Sequence, residues 1–125
     1  MVCDLDEIET LVGDAPMPVA LESSGVPRHV PTIVGRSAYR VVRDALHAAV
    51  CASEASVAIQ FVPGAVIVQI DDDGGASRDF DELRELAAAI GGGLRATPEP
   101  GGFRVRAWLP TEGQPPSPAA PPAAR

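Results

Sequence analysis

Val66-Ile67-Val68-Gln69-Ile70-Asp71-Asp72-Asp73-Gly74-Gly75 decides how the rest of the chain is read. Val66, Val68 and Ile70 alternate with Ile67 and Gln69, the two-residue period of a strand with one buried face. The strand runs into three carboxylates and two glycines. A carboxylate at a strand end can be aimed into a cleft, and glycine lets a ligand approach the backbone closely. Three Asp followed by two Gly are also ordinary turn chemistry. Alone, the junction leaves two readings open: a ligand site and a polar strand exit.

Upstream, Pro63-Gly64 turns the chain, and Val57, Ile59 and Phe61 alternate in a partner strand, so 56–70 is a hairpin. The longest periodic segment is 31–52, with Pro31 suited to a first helical turn. Ile33, Val34, Ala38, Val41, Val42, Ala45, Leu46 and Ala49 form one broad apolar face; Arg36, Arg40, Arg43 and Asp44 lie largely off it. Residues 18–22 read as a strand. Before them Leu5, Ile8 and Leu11/Val12 fall at helical spacing in an acidic piece ending at Gly13. Downstream, a helix is expected over about 79–90, with Phe80, Leu83, Leu86, Ala87 and Ile90 on one side and Gly91-Gly92-Gly93 ending it. A last hairpin joins Leu94–Thr97 to Phe103–Leu109. Phe103, Val105, Ala107 and Leu109 share one of its faces; Arg104, Arg106 and Trp108 share the other.

The order β, α, ββ, α, ββ predicts an α/β (α+β) two-layer sandwich, with a mixed, mostly antiparallel sheet and helices on one face. Three regions follow: an acidic amphipathic segment over 1–16, the folded domain over 17–110 and a Pro/Ala-rich tail over 111–125, with five prolines, expected to be disordered.

Composition removes many functions. The 125 residues carry 17 acids against 10 bases, net −7, and all ten bases are Arg. Without Lys there is no Walker A lysine and no Schiff base. The acidic balance and scarce aromatics argue against nucleic acid as a partner. Only His29, His47, Cys3 and Cys51 are available as Cys/His ligands. His47 and Cys51, one helical turn apart, offer two of the four ligands a structural zinc needs, so no metal site is expected. No stretch approaches a bilayer span and the first residues are acidic rather than signal-like, which makes a cytoplasmic protein the expectation.

The element order and the Asp–Gly junction together resemble the ATP-binding catalytic domain of sensor histidine kinases, in the GHKL (HATPase_c) superfamily, over about residues 17–110. The matching blocks are Ala38–Leu46, Val66–Gly74, Leu83–Leu86 through Ile90-Gly91-Gly92, and Pro100–Pro110. The resemblance implies a Bergerat-type ATP-binding fold with a shortened lid. In that family the Asp of Asp-x-Gly-x-Gly binds the adenine amino group. Asp72 and Gly74 match the box, while its second glycine falls on Ala76. The family's Glu-Ala-Leu-x-Asn becomes Asp44-Ala45-Leu46-His47-Ala48. Asp44 is thus the candidate catalytic acid, and Ala48 stands where the Mg²⁺-ligating Asn belongs. The lid and second glycine box shrink to Ala76-Ser77-Arg78-Asp79-Phe80.

Charge-assisted contacts to phosphate or metal contribute about 1.5–3 kcal/mol each. Losing about three weakens affinity some thousands-fold. The expectation is therefore a degenerate histidine-kinase-like ATPase domain, a pseudokinase of two-component signal transduction, with weak or no ATP binding and Mg²⁺ lost. It would act as an interaction or regulatory module on a histidine kinase, a dimerisation domain or a response regulator, inactive alone. The alternative is the ATP-binding subunit of a split kinase that phosphorylates a partner's histidine. Arg104, Arg106 and Trp108 are a candidate docking strip, against a plain solvated sheet face.

Overall fold

Alternation along the strands becomes a sheet with one buried side. The computed structural model describes residues 5–15, 17–25, 30–49, 52–74 and 80–111. Its strands are β1 (Val19–Ser24), β2 (Ala55–Val62), β3 (Ala65–Asp72), β4 (Gly93–Glu99) and β5 (Gly102–Pro110), in spatial order β1-β2-β3-β5-β4. β1 runs parallel to β2; every other pair is antiparallel. Parallel neighbours need a crossover, and α2 (Thr32–Ala48) lies within it. α1 (Leu5–Gly13) precedes the sheet, and α3 (Asp81–Ala89) links β3 to β4.

The helices cover one face. Ile8 of α1, Val41, Val42, Ala45 and Leu46 of α2, and Leu83 and Ala87 of α3 share a core with Val57, Ile59, Val66, Val68, Ile70, Val105, Ala107 and Leu109. Ile8 thus ties the acidic N-terminal helix to the core of the sandwich. Ser37, buried inside α2, satisfies its hydroxyl by donating to the Ile33 carbonyl at 2.8 Å. The two hairpin turns are Pro63-Gly64 and Pro100-Gly101, with φ of +79° and +76° at the glycines. Proline followed by a positive-φ residue is the chemistry of a type II turn.

Several sequence expectations shift. Ile33, expected on the apolar face, is 55% exposed. It lies at the rim of the helix face, in line with exposed Arg40, while Val34 beside it is buried in the core. α2 stops at Ala48 instead of continuing to 52: the Ala49 N–H bonds Leu46 O in a tightened last turn, and Ala52 is no longer helical. α3 starts at Asp81, because Phe80 turns its ring inward onto Phe103, with centroids 5.9 Å apart. β4 runs on through Pro98, which an edge strand tolerates. The tail beyond Thr111, Cys51 and Ala76 lie outside the described residues. No helix among those described is long and apolar enough to cross a membrane.

Candidate functional site

The three adjacent aspartates at the end of β3 point to three different tasks. Asp71 faces the helix-free side of the sheet, where Arg104 Nε donates to its Oδ1 at 2.7 Å and Gln69 Nε2 to its Oδ2 at 2.9 Å. Asp73 is the loop's acceptor: its Oδ1 takes the backbone N–H of Ser53 at 2.7 Å and of Glu54 at 3.2 Å, fixing the entry to β2. For these two, the polar strand exit is the correct reading.

Asp72 is different. Its cross-strand partners are Ala55 and Phe103, both buried on the helix-covered side, so it belongs to that face. Its Oδ1 accepts from the Gly74 N–H at 2.9 Å, and Gly74 is buried. The start of β5 presses directly on this strand end. A Cβ at Gly102 would collide with the Asp72 carbonyl oxygen, so only glycine fits there. The sequence marked Asp72 and Gly74 but gave no reason to pick Gly102 as their support.

Asp44 lies elsewhere, in a cleft of about 270 Å³ between α2 and α3 lined by Asp44, Phe80, Asp81, Glu82 and Leu83. Asp72 instead borders a hollow of about 340 Å³ lined by Ala20, Glu54, Ala55, Ser56 and Asp71–Asp73. Among the hollows formed by described residues, the two acids thus border different ones.

Around Asp44 the charges pair among themselves. Arg43 Nε reaches Asp44 Oδ1 at 3.1 Å and Arg40 Nε reaches Oδ2 at 3.4 Å, so both carboxylate oxygens are engaged. Arg40 Nη2 extends to Glu82 Oε1 at 3.6 Å across the cleft, and Arg84 Nη1 holds Asp81 at 2.7 Å. A helix N-terminus favours anions, but here Asp81 and Glu82 already occupy the first turn of α3. Ala48 offers a methyl group and no oxygen. Among the described residues of this cleft, the carboxylates and guanidiniums pair with one another and position 48 carries no side-chain oxygen, a set poor in groups for a magnesium-bridged triphosphate. Among the described residues, no group of three or more His, Cys, Asp and Glu could hold a metal ion.

Arg104, Arg106 and Trp108 share the helix-free face, as their alternation predicts. The hydrogen bond to Asp71, then Asp71's charge and more weakly that of Glu99, hold the Arg104 guanidinium above its ordinary pKa, against a small opposing desolvation. Arg106 Nη1 donates to Gln69 Oε1 at 2.8 Å, and Trp108 is 47% exposed. Sequence reading passed over Arg95, the direct cross-strand neighbour of Arg106. Its alternation with Leu94 and Ala96 was the available signal.

No protein-family model matches the chain, and no curated protein matches it in sequence. Solved structures do. The histidine kinase domain of the E. coli osmosensor EnvZ aligns with a TM-score of 0.66 at 14% identity, over 96% of this chain and 94% of that one. The Acinetobacter baumannii histidine kinase AdeS gives 0.62 at 13%, over 87% and 61%. The histidine kinase domain of an Erythrobacter litoralis blue-light activated kinase gives 0.58 at 19%, over 85% and 57%. This chain thus spans less than two thirds of the latter two. Its fold is that of histidine-kinase catalytic domains.

Proposed function

We propose that this chain is a degenerate histidine-kinase-like domain that works in two-component-type signalling by binding another protein, with nucleotide turnover lost. One observation carries the reading. In the cleft between α2 and α3, Asp44 pairs with Arg40 and Arg43, Glu82 with Arg40, and Asp81 with Arg84. A fold that binds Mg-ATP needs uncommitted donors for phosphate and an oxygen for the metal. Fold alone does not supply a function; the site does. ATP binding is then weak or absent and Mg²⁺ has no ligand set. The partner is a signalling protein: a histidine kinase, a dimerisation domain or a response regulator.

Isothermal titration with Mg-ATP tests this. No saturable heat is expected up to millimolar nucleotide. Micromolar binding that disappears in Asp72→Asn would overturn the reading.

The position of Asp72 on the helix-covered face, hydrogen-bonded to a buried Gly74, favours one alternative: the ATP-binding subunit of a split kinase. In that reading Asp72 holds adenine and a partner brings the acceptor histidine and the missing phosphate donors. Transfer of labelled phosphate from ATP to a separate dimerisation-domain protein, dependent on Asp72, would establish it.

A further inference from the structure

We infer that the helix-free face of the sheet, at the corner made by Arg95, Arg106, Trp108 and Ile67, is a docking site for an extended acidic segment of a partner protein. This rests on the interaction-module reading above and names the chemistry of its partner.

Register brings the corner together. Arg95 and Arg106 are direct cross-strand neighbours on β4 and β5, and Trp108 opposes Ile67 on β3. Like charges placed directly opposite one another across strands are unfavourable unless something neutralises them. Two residues along β5, Arg104 has its acid, Asp71. Arg95 has no side-chain partner among the described residues, and the one bond of Arg106 goes to the neutral oxygen of Gln69. A molecule with net charge −7 therefore presents two guanidiniums side by side that no described carboxylate answers.

Beside them Trp108 is 47% exposed, and no described helix covers this face. Arg and Trp are the residue types that anchor interfaces. Planar guanidiniums suit carboxylates, which they bind with paired hydrogen bonds. Strand spacing of about 3.4 Å per residue separates Arg106 from Trp108 by about 7 Å. An extended peptide with an acid and an apolar residue two positions apart matches that separation. β4 is also an edge strand, so its outer backbone adjoins the corner. Charge selects a peptide over nucleic acid. A polyanionic duplex is held by six to ten cationic contacts in roughly typical cases, and this corner has two cations to spare.

Trp108 is the only tryptophan, so its emission reports occupancy directly. The full chain would be titrated with the capped hexapeptide Asp-Glu-Leu-Asp-Glu-Leu, with its Asn/Gln counterpart and with a single-stranded oligonucleotide. The expected result is a saturable blue shift with the acidic peptide alone. It should weaken at least about tenfold in the Arg95→Gln/Arg106→Gln double variant and with added salt. Both substitutions are on exposed side chains, and far-UV circular dichroism checks the fold. If the double variant did not fold, Trp emission of the wild-type chain across the salt series would still decide. No response to the acidic peptide at millimolar concentration, an equal response to the neutral one, or stronger binding of the oligonucleotide would overturn the proposal. None of these outcomes depends on whether the chain binds Mg-ATP, so the nucleotide titration fails or succeeds separately.

Discussion

The two sides of this sheet handle charge in opposite ways. On the helix-covered side, Asp44, Asp81 and Glu82 find arginines within the same cleft. On the bare side, Asp71 satisfies Arg104, while Arg106 has only the neutral amide of Gln69 on one flank and Arg95 on the other. In the reading proposed above, the first surface offers little to a ligand and the second has binding capacity unspent. A backbone shared with histidine-kinase catalytic domains therefore does not fix where this chain binds. The side chains decide, and here they favour the face opposite the cleft.

The sharpest way to break the comparison is to show that the two faces contribute alike to stability. Ile70 is 1% exposed on the covered side, whereas Ile67 is half-buried on the bare one. Ile70→Ala should cost about 2–5 kcal/mol through lost burial and the cavity left behind. Ile67→Ala should cost under about 1 kcal/mol. Urea unfolding midpoints read both. Equal losses would mean that something also covers the outer face.

Next in size is the support beneath Asp72. Gly102→Ala drives a methyl group into the Asp72 carbonyl, a backbone atom that cannot swing aside. A loss on the order of 1–3 kcal/mol is expected. Gly13→Ala is the control, since a Cβ there meets nothing within 4 Å. It should be neutral or stabilise by roughly 0.4–1 kcal/mol, by restricting the unfolded chain. Thermal unfolding of the pair separates close approach from glycine freedom.

What the sequence disclosed and what it withheld follow from range. The apolar periodicity of α2, the alternation in β5 and the two Pro-Gly turns are local patterns, and each appears in the fold where the chain spells it. The parity of β3 also separates Asp71 from Asp72. The charge partners are not local. Arg95 meets Arg106 only because β4 and β5 pair in one register, and Arg40 meets Glu82 only because α2 and α3 converge. The run of three aspartates looks like a single acidic cluster. Strand pleating and the loop at Ser53 disperse it. Ile33 misled for another reason: it lies at the rim of the α2 stripe, in line with exposed Arg40, while its neighbour Val34 reaches the core.

A smaller effect concerns pH. The Asp71 hydrogen bond raises the Arg104 pKa from a value that is already high. A group whose folded pKa is raised contributes stability that is fully present below its unfolded pKa, and loses it as pH rises through the folded one. For Arg104 that window lies in strong alkali. The stability difference between wild type and Arg104→Gln should therefore stay flat from about pH 6 to 9, as urea titrations at several pH values would show. A slope in that range would mean that another titrating group shares the pair.

The smallest expected change in stability carries the most discrimination between the two functional readings. Arg40 is 44% exposed on its side chain, and its acceptor Glu82 is 88% exposed. Solvent screens such pairs to about 0–1 kcal/mol, so Arg40→Ala should lower stability only slightly. Its effect on nucleotide separates the alternatives. If the cleft is a closed ionic set, removing Arg40 frees acid and makes the site still less hospitable to phosphate, and a chain that does not bind Mg-ATP continues not to. If the cleft instead opens in a split kinase, Arg40 is a guanidinium already placed between α2 and α3 where a triphosphate would need one. Its loss would then abolish phosphotransfer to the partner while leaving the unfolding midpoint nearly unchanged. A titration and a melt on the same variant therefore tell an arginine that neutralises the cleft from one that serves it.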